Sequence, residues 1–480
     1  MTTAAPLDPD RRLRGSVAMY VFNDVTFDSR VRREAATLAG LGAQVTVVGV
    51  LRDRDASEPT RESVDGYEIV RVPVPGAWRR GWQSVVAPWS LRRRSIGALK
   101  RSVLDGPTGW PRAPRAAGAL VLALGLSALR RIVLAASRGT RSSGSGEPVW
   151  PPDHLSWLVW WRWAVLGWAR DAGAAAGRAS VHHGHDLTAL PAAVRAARRD
   201  GGQAVYDSHE IFVDSGLNAE RPRWARALLR LLERRWARRT AALVTVNAAY
   251  AEVIAKRIRP RRTVVVHNCP PRWDLPEPPS SRLRDATGLG ADTPIVLYHG
   301  AFSLHRGLAE LAEAMLQPGL EGAHLVYLGY GGQRPLVDRL VADPRFGSRL
   351  HVVDAVAPDD LLEAISGADV DAIPLQHSTL NHWLCTPNKL FESLAAAVPV
   401  VVSDFPVMAG IVRDDPAGPL GEVCDPADAA SIGAAIRRIL DRPPADRAAV
   451  RSRCHEAAER RWNWETEAIG LVDLYAELLG

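Results

Sequence analysis

Short runs of β-branched and aromatic residues alternate with amphipathic helical patterns along most of this chain; the alternation halts at a proline-rich stretch and then begins again. No other feature narrows the fold as much. Strands separated by helices pair in parallel through right-handed crossovers, which gives an α/β sheet covered by helices. In the first half, strands are expected at "SVAMYVF", "AQVTVVGV", "YEIVRVPV", "RASVHHGHD", "QAVYDSHE", "AALVTVN" and "RTVVVHN". Helices such as "RVRREAATLAGLG" and "TALPAAVRAARRDG" lie between most of them. The join "CPPRWDLPEPPSSRLRDATG" is polar and proline-rich, as domain boundaries are. Beyond it come "PIVLYHGAF", "AHLVYLG", "RLHVVDA", "VDAIPLQ", "VPVVVSD" and "GEVCD", again separated by helices. Two doubly wound, Rossmann-like domains are therefore expected, 1–268 and 284–460, with a linker at 269–283 and a final helix at 461–480 packing on a domain surface. Ligands of such folds bind at strand C-termini, and facing strand ends would form a cleft.

One segment breaks the pattern. From Gly76 to Ala172 there are 15 Lys/Arg against 4 Asp/Glu, and 10 of the chain's 16 tryptophans. Its longest uncharged run, Ala116 to Leu129, is shorter than the roughly 20 residues that cross a bilayer. Two readings stay open for this Trp/Arg-rich insertion. Its helices lie in the headgroup region of an anionic membrane, or its tryptophans pack on one another while its arginines face water. No nucleic-acid-binding motif accompanies the charge, so nucleic acid is not expected as a partner. Cys269, Cys385, Cys424 and Cys454 are scattered with neither CxxC nor zinc spacing, which fits reduced thiols. With an N-terminus that lacks an apolar signal core, they place the chain in the cytoplasm, with peripheral attachment to the inner face of the plasma membrane as the finer expectation.

The chemistry is expected in the second half. In "TPNKLFESLAAAVPVVVSD", Thr386 suits a helix cap and Pro387 its first position, which leaves the amides of Asn388 and Lys389 free to face an anion. Glu392 stands one turn on, on the same face, where its carboxylate can accept from two ribose hydroxyls. The alternative is that Glu392 merely favours the helix dipole and Lys389 is solvated. Gly300 ends a strand before Arg306, an arginine able to grip a diphosphate, and "LGYGG" supplies Gly329 and Gly331 at the end of the next. Asp369 and Asp371 imitate a metal-binding DxD, but strand alternation splits such a pair, so a structural role is expected. His182 and His183 are expected to belong to a strand. Asn23, Asp24 and Asp28 follow the first strand, and "YDSHE" puts His209 and Glu210 at another strand's C-terminal end; Asn23, Asp28, His209 and Glu210 are candidates for the acceptor side.

Taken together, "VLYHGAF…RGL", "LGYGG", "ADVDAIPL", "TPNKLFESLAAAVPVVVSD" and "WNWETEAIGLVDLY" resemble the donor-binding domain of glycosyltransferase family 4, which has the GT-B fold. In the first half, "DSRVRREAATLAGLGAQVTVV", "HGHDLTALPAA" and "VYDSHEIF" are similar to its acceptor-side domain. The resemblance implies retaining transfer of a sugar from a nucleotide sugar to a hydroxyl acceptor, with no cofactor and no essential metal. It also implies a catalytic set of His185, Arg306 and Glu392, with His185 against the donor sugar, Arg306 on the diphosphate and Glu392 on the ribose. Gly300, Gly329, Gly331, Asn388 and Lys389 complete the donor site. Two positions depart from the family pattern: Leu384 stands where a second glutamate is common, and Ala301 where an arginine is. The acceptor that best fits the basic tryptophan-rich insertion is a lipid-linked glycan or polysaccharide precursor. A GT-B nucleotide-sugar epimerase and a noncatalytic sugar-nucleotide or glycan-binding protein are the rival readings.

Overall fold

The computed structural model describes residues 11–51, 60–74, 121 and 161–480. Its strands form two sheets. The first contains β1 (Ser16–Tyr20), β2 (Gln44–Leu51), β3 (Arg61–Val64), β4 (Tyr67–Pro73), β5 (Val181–His185), β6 (Gln203–Ser208), β7 (Ala242–Thr245) and β8 (Thr263–Val265). They are ordered β3-β4-β2-β1-β5-β6-β7-β8. The pairings of β1 with β2 and β5, of β2 with β4, of β5 with β6 and of β7 with β8 are parallel. β3 is antiparallel to β4, turning at Asp65 and Gly66, both with positive φ. The second sheet contains β9 (Ile295–Ala301), β10 (His324–Tyr330), β11 (Leu350–Asp354), β12 (Val370–Ile373), β13 (Val400–Ser403) and β14 (Gly421–Cys424). Its order is β11-β10-β9-β12-β13-β14, parallel throughout. Chain order thus reverses between β9 and β12, and a doubly wound sheet binds ligands beyond the strand C-termini at that point.

The strands are central because they are apolar on both faces. On one side of the second sheet Val296, Tyr298, Tyr327 and Val370 pack with the helices Leu308–Ala314 and Ala429–Leu440. On the other, Leu297, Val326 and Leu328 meet Leu283 and Ile365. The expected strands are all present. β3 was not foreseen, because "RESV" is short, charged and half exposed, with no apolar alternation.

By compactness the chain divides into two units. One holds the described residues within Arg12–Asp207, Glu220–Ala241 and Leu478–Gly480; the other holds Arg11, Ser208–Ala219 and Ala242–Glu477. The final helix, Trp464–Leu479, buries Leu471, Val472, Leu474 and Tyr475. Its Glu467 accepts from the His267 amide, and its Trp464 amide donates to Pro270. Most of the Gly76–Ala172 segment, and with it the reading of a lipid-facing insertion, lies outside the described residues. Its last residues belong to the core: helix Leu166–Ala175 buries Trp168 with Tyr20, Val48 and Ala192. Among the described residues no helix is long and apolar enough to cross a membrane.

Candidate functional site

At the C-terminal ends of β9 and β10 the loops are held together by glycines. Gly300 has φ +104°, a conformation other residues rarely adopt, and Gly300 pairs with Gly329 in the sheet register. A Cβ on Gly329 would stand 2.0 Å from the Gly300 carbonyl oxygen, and one on Gly331 2.4 Å from that of Phe302. These two glycines therefore serve the contact between neighbouring loops. The sequence reading gave them to ligand approach; the protein's own backbone already accounts for them. Gly307 is needed for a similar reason: φ is +70°, and a Cβ would stand 2.1 Å from the Pro374 carbonyl oxygen. It turns the chain from Arg306 into the helix that starts at Leu308.

From the β12 side comes the helix Asn388–Ala395. Pro387, not Thr386, occupies its cap position, and no side chain caps this end. Thr386 is buried one residue further back and accepts from Asn247 Nδ2 at 3.3 Å. The amides of Asn388 and Lys389 and the positive end of the helix dipole are thus open to an anion, while the Leu390 amide donates to the Pro387 carbonyl at 3.0 Å. Lys389 in that turn is 9% exposed, its Nζ 3.6 Å from the centre of the Tyr298 ring. It lies beside Gly300, within 3.8 Å of where a Cβ there would be. Burial drives its pKa down to about 7, although Asp371 and Glu392 favour the charge.

Glu392 is held by a residue that sequence reasoning missed. His299 on β9 is buried, with Nε2 3.1 Å from Glu392 Oε2 and Nδ1 3.3 Å from Asp371 Oδ2. Burial alone would strip its proton, but the two carboxylates, Asp371 foremost, outweigh that and raise its pKa to about 9. Ser393 Oγ donates to Asp371 at 2.7 Å, so the chain Ser393–Asp371–His299–Glu392 runs from the core to the partly exposed Glu392. The signal was weak: a lone histidine in "IVLYHGA" reads as core, and its pairing with Asp371 appears only once β9 and β12 are neighbours. Asp369, by contrast, accepts from the Ile295 amide at 2.8 Å, so the DVD pair is split, as alternation implied.

Arg306 faces the same region. It is half-buried, its Nε donates to Ser303 Oγ at 3.2 Å, and among the described residues no carboxylate pairs with it. Its charge is felt at Lys389, where it helps to depress the pKa, and at His382, whose pKa burial, Arg306 and His305 lower to about 4. Among the described residues, Arg306 without a carboxylate partner, the buried Lys389 and the uncapped helix end thus set positive groups beside one anchored carboxylate. Leu384 and Ala301 add no charge to it; the Leu384 carbonyl accepts from Asn247, and Ala301 is exposed.

The remaining candidates fall elsewhere. In the unit that holds this site, Glu210 is exposed and acts electrostatically on Cys385 and Tyr250, as Arg306 does. The next amide, Ile211, donates to Asn381 Oδ1 at 2.8 Å, so the His209–Glu210 turn lies near the segment that precedes the Asn388 helix. Asn23 and Asp28 shape their own loop: Asn23 Nδ2 donates to Asp28 Oδ2 at 2.8 Å, and Asp28 caps the helix Ser29–Gly40. His185 ends β5, is buried, stacks on His183 at 4.3 Å, and has Nδ1 3.3 Å from Asp207 Oδ2. Glu34, His183, His185 and Asp207 could each offer a metal one atom within 4.8 Å of one another. The Arg30 guanidinium already fills the cation's place, forked onto Asp207 at 2.9 and 3.1 Å and 3.0 Å from Glu34. His182 is structural, between the Tyr20 hydroxyl and the Ala179 carbonyl.

Both halves of the chain have likenesses among known proteins. Residues 293–442 match the family model described as glycosyl transferases group 1, and residues 118–269 match that of glycosyltransferase family 4. The second match begins inside the Trp/Arg-rich segment, further than the motifs indicated. A D-inositol 3-phosphate glycosyltransferase from Xylanimonas cellulosilytica is 29% identical over 225 residues, 44% of this chain and 51% of its own. The chain thus spans about half the length of that curated relative. Among solved structures, sucrose-phosphate synthase from Thermosynechococcus elongatus aligns with TM-score 0.61 and 18% identity over 97% of this chain and 99% of its own. An α,α-trehalose-phosphate synthase (UDP-forming) from Burkholderia vietnamiensis gives 0.60 and 13% over 97% and 100%. Anabaena HepE in complex with UDP and glucose gives 0.57 and 12% over 97% and 100%. Two Rossmann-like sheets with these likenesses define the GT-B fold. Within that class, the chain belongs to the glycosyltransferases of the family 4 type.

Proposed function

We propose that the protein transfers a hexosyl or related sugar from a nucleoside diphosphate sugar to a hydroxyl acceptor, with retention at the anomeric carbon. The observation that carries this reading is the convergence of Arg306, Lys389 and the uncapped end of the helix Asn388–Ala395 beside Glu392, itself fixed by His299. Such a set suits a diphosphate on the cations and helix amides and a ribose on the carboxylate. In this reading Arg306 acts on the diphosphate and Glu392 on the ribose, Gly300, Asn388 and Lys389 line the donor, and His185, buried in the other unit, has a catalytic role through the family resemblance alone. Positive groups at the leaving diphosphate lower the barrier by stabilising the charge it gains as the glycosidic bond breaks. With no protein nucleophile assigned, the acceptor hydroxyl attacks from the face the diphosphate leaves, and the departing phosphate takes its proton. Glu210 and His209 are the acceptor-side residues, and the acceptor is a lipid-linked glycan or polysaccharide precursor at the cytoplasmic membrane face, in keeping with the composition of Gly76–Ala172.

The test is release of nucleoside diphosphate from a panel of UDP-, GDP-, ADP- and dTDP-sugars with hydroxyl acceptors, followed by NMR of the product's anomeric configuration. Transfer with retention is expected with one nucleotide class. An altered sugar released without acceptor would make the protein an epimerase; tight binding without turnover would make it a noncatalytic binding protein.

A further inference from the structure

The helix Arg223–Ala237 is half core and half open arc. Its inner side buries Ala225, Leu229, Glu233 and Ala237, and the only carboxylate in the stretch, Glu233, is turned inward, accepting from the Tyr206 hydroxyl at 2.9 Å. Arg223, Arg230, Arg234, Arg235, Arg238 and Arg239 are all exposed on or just after the helix. Between them lie Trp224, 48% exposed, and Leu231, 61% exposed. Seven residues apart on a helix, these two share one side, and at about 1.5 Å per residue the whole face runs for roughly 22 Å. A tryptophan and a leucine on one side of a helix, flanked by exposed arginines, form an amphipathic strip rather than an evenly charged face. The helix also carries Trp236, which stacks on Trp161 at 6.1 Å, so the last part of the Trp/Arg-rich segment meets the same element.

We propose that this outer face docks on an anionic lipid bilayer, with its arginines at headgroup phosphates and Trp224 and Leu231 set into the interfacial layer. The charge complements acidic lipid, and the central apolar strip complements the acyl boundary, which is the division an interfacial helix shows. Nucleic acid fits less well, since a phosphate backbone gives Leu231 nothing to pack against.

The experiment is vesicle co-sedimentation of the full chain with phosphatidylcholine alone and with phosphatidylcholine mixed with phosphatidylglycerol, at low and high salt. Binding is expected only to the mixed vesicles and should weaken with salt. Both the triple variant Arg234→Glu, Arg235→Glu, Arg238→Glu and the double variant Trp224→Ala, Leu231→Ala should bind at least tenfold less, with melting temperatures close to that of the natural chain, as all five side chains are exposed. Variants that bind like the natural chain, a chain that binds neither vesicle, or tighter binding to duplex or single-stranded nucleic acid than to vesicles would each overturn the proposal. The donor reading is measured separately by nucleotide binding, so the failure of one leaves the other standing.

Discussion

His299 and Lys389 are buried cations whose pKa values move in opposite directions, and their opposition has a measurable result. Lys389 holds its proton less well folded than unfolded, so between about pH 7 and its ordinary value near 10.5 the unfolded chain carries the extra proton. Stability from this group therefore rises with pH. His299, raised to about 9 from 6.5, gives stability that is complete below pH 6.5 and is lost as pH climbs through 9. From pH 7 to 9 the two slopes oppose each other, so melting temperature should be nearly flat, and His299→Gln should turn it into a rise. Donor affinity does not cancel in this way, because both groups lose positive charge as pH rises. Titrating a nucleotide sugar should show affinity falling above pH 7 and again near 9; a level profile would remove Lys389 and His299 from the site. His299→Leu should also weaken nucleotide binding roughly tenfold by freeing Glu392, and shrink the affinity gap between ribo- and 2′-deoxyribonucleotide, which a purely structural histidine would leave intact. Spacing sets Lys389 and Glu392 on one helix face and Arg306 at a loop end, so the sequence offers all three as candidates, although it leaves open a solvated Lys389 where the structure buries it. His299 was not legible, since it matters through a partner 72 residues away on another strand.

At the scale of elements, the glycine loops are set by backbone clash. Gly307→Ala forces a Cβ onto the Pro374 carbonyl at a positive φ, and should cost about 2 kcal/mol or more in chemical denaturation. Gly332, whose Cβ would meet nothing within 4 Å, should tolerate the same change. The strands were legible because β-branched runs bounded by turns carry their own signal. Boundaries set by packing were not. The helix that carries Lys389 and Glu392 begins at Asn388, and Thr386 before it accepts from Asn247 across 139 residues. Likewise Leu166–Ala175, read as the tail of an insertion, is a core helix through Trp168, a burial that composition does not reveal.

For the whole molecule, the restart of alternation after the proline-rich join was enough to foresee two sheets, whereas the return of the last helix to the segment around His267 and Pro270 required tertiary contacts. That helix should be indispensable: Leu474→Ala, at 1% exposure, should lose about 2–5 kcal/mol and lower the melting temperature measurably. The proposed function stands or falls with a nucleoside diphosphate site at the C-terminal ends of the second sheet's strands, and the decisive experiment is calorimetric titration of UDP, GDP, ADP and dTDP into the natural chain and into Arg306→Ala. Saturable binding of one nucleotide class, weakened at least tenfold in the variant, is expected. Equal binding to both proteins, or none to the natural chain, would contradict it.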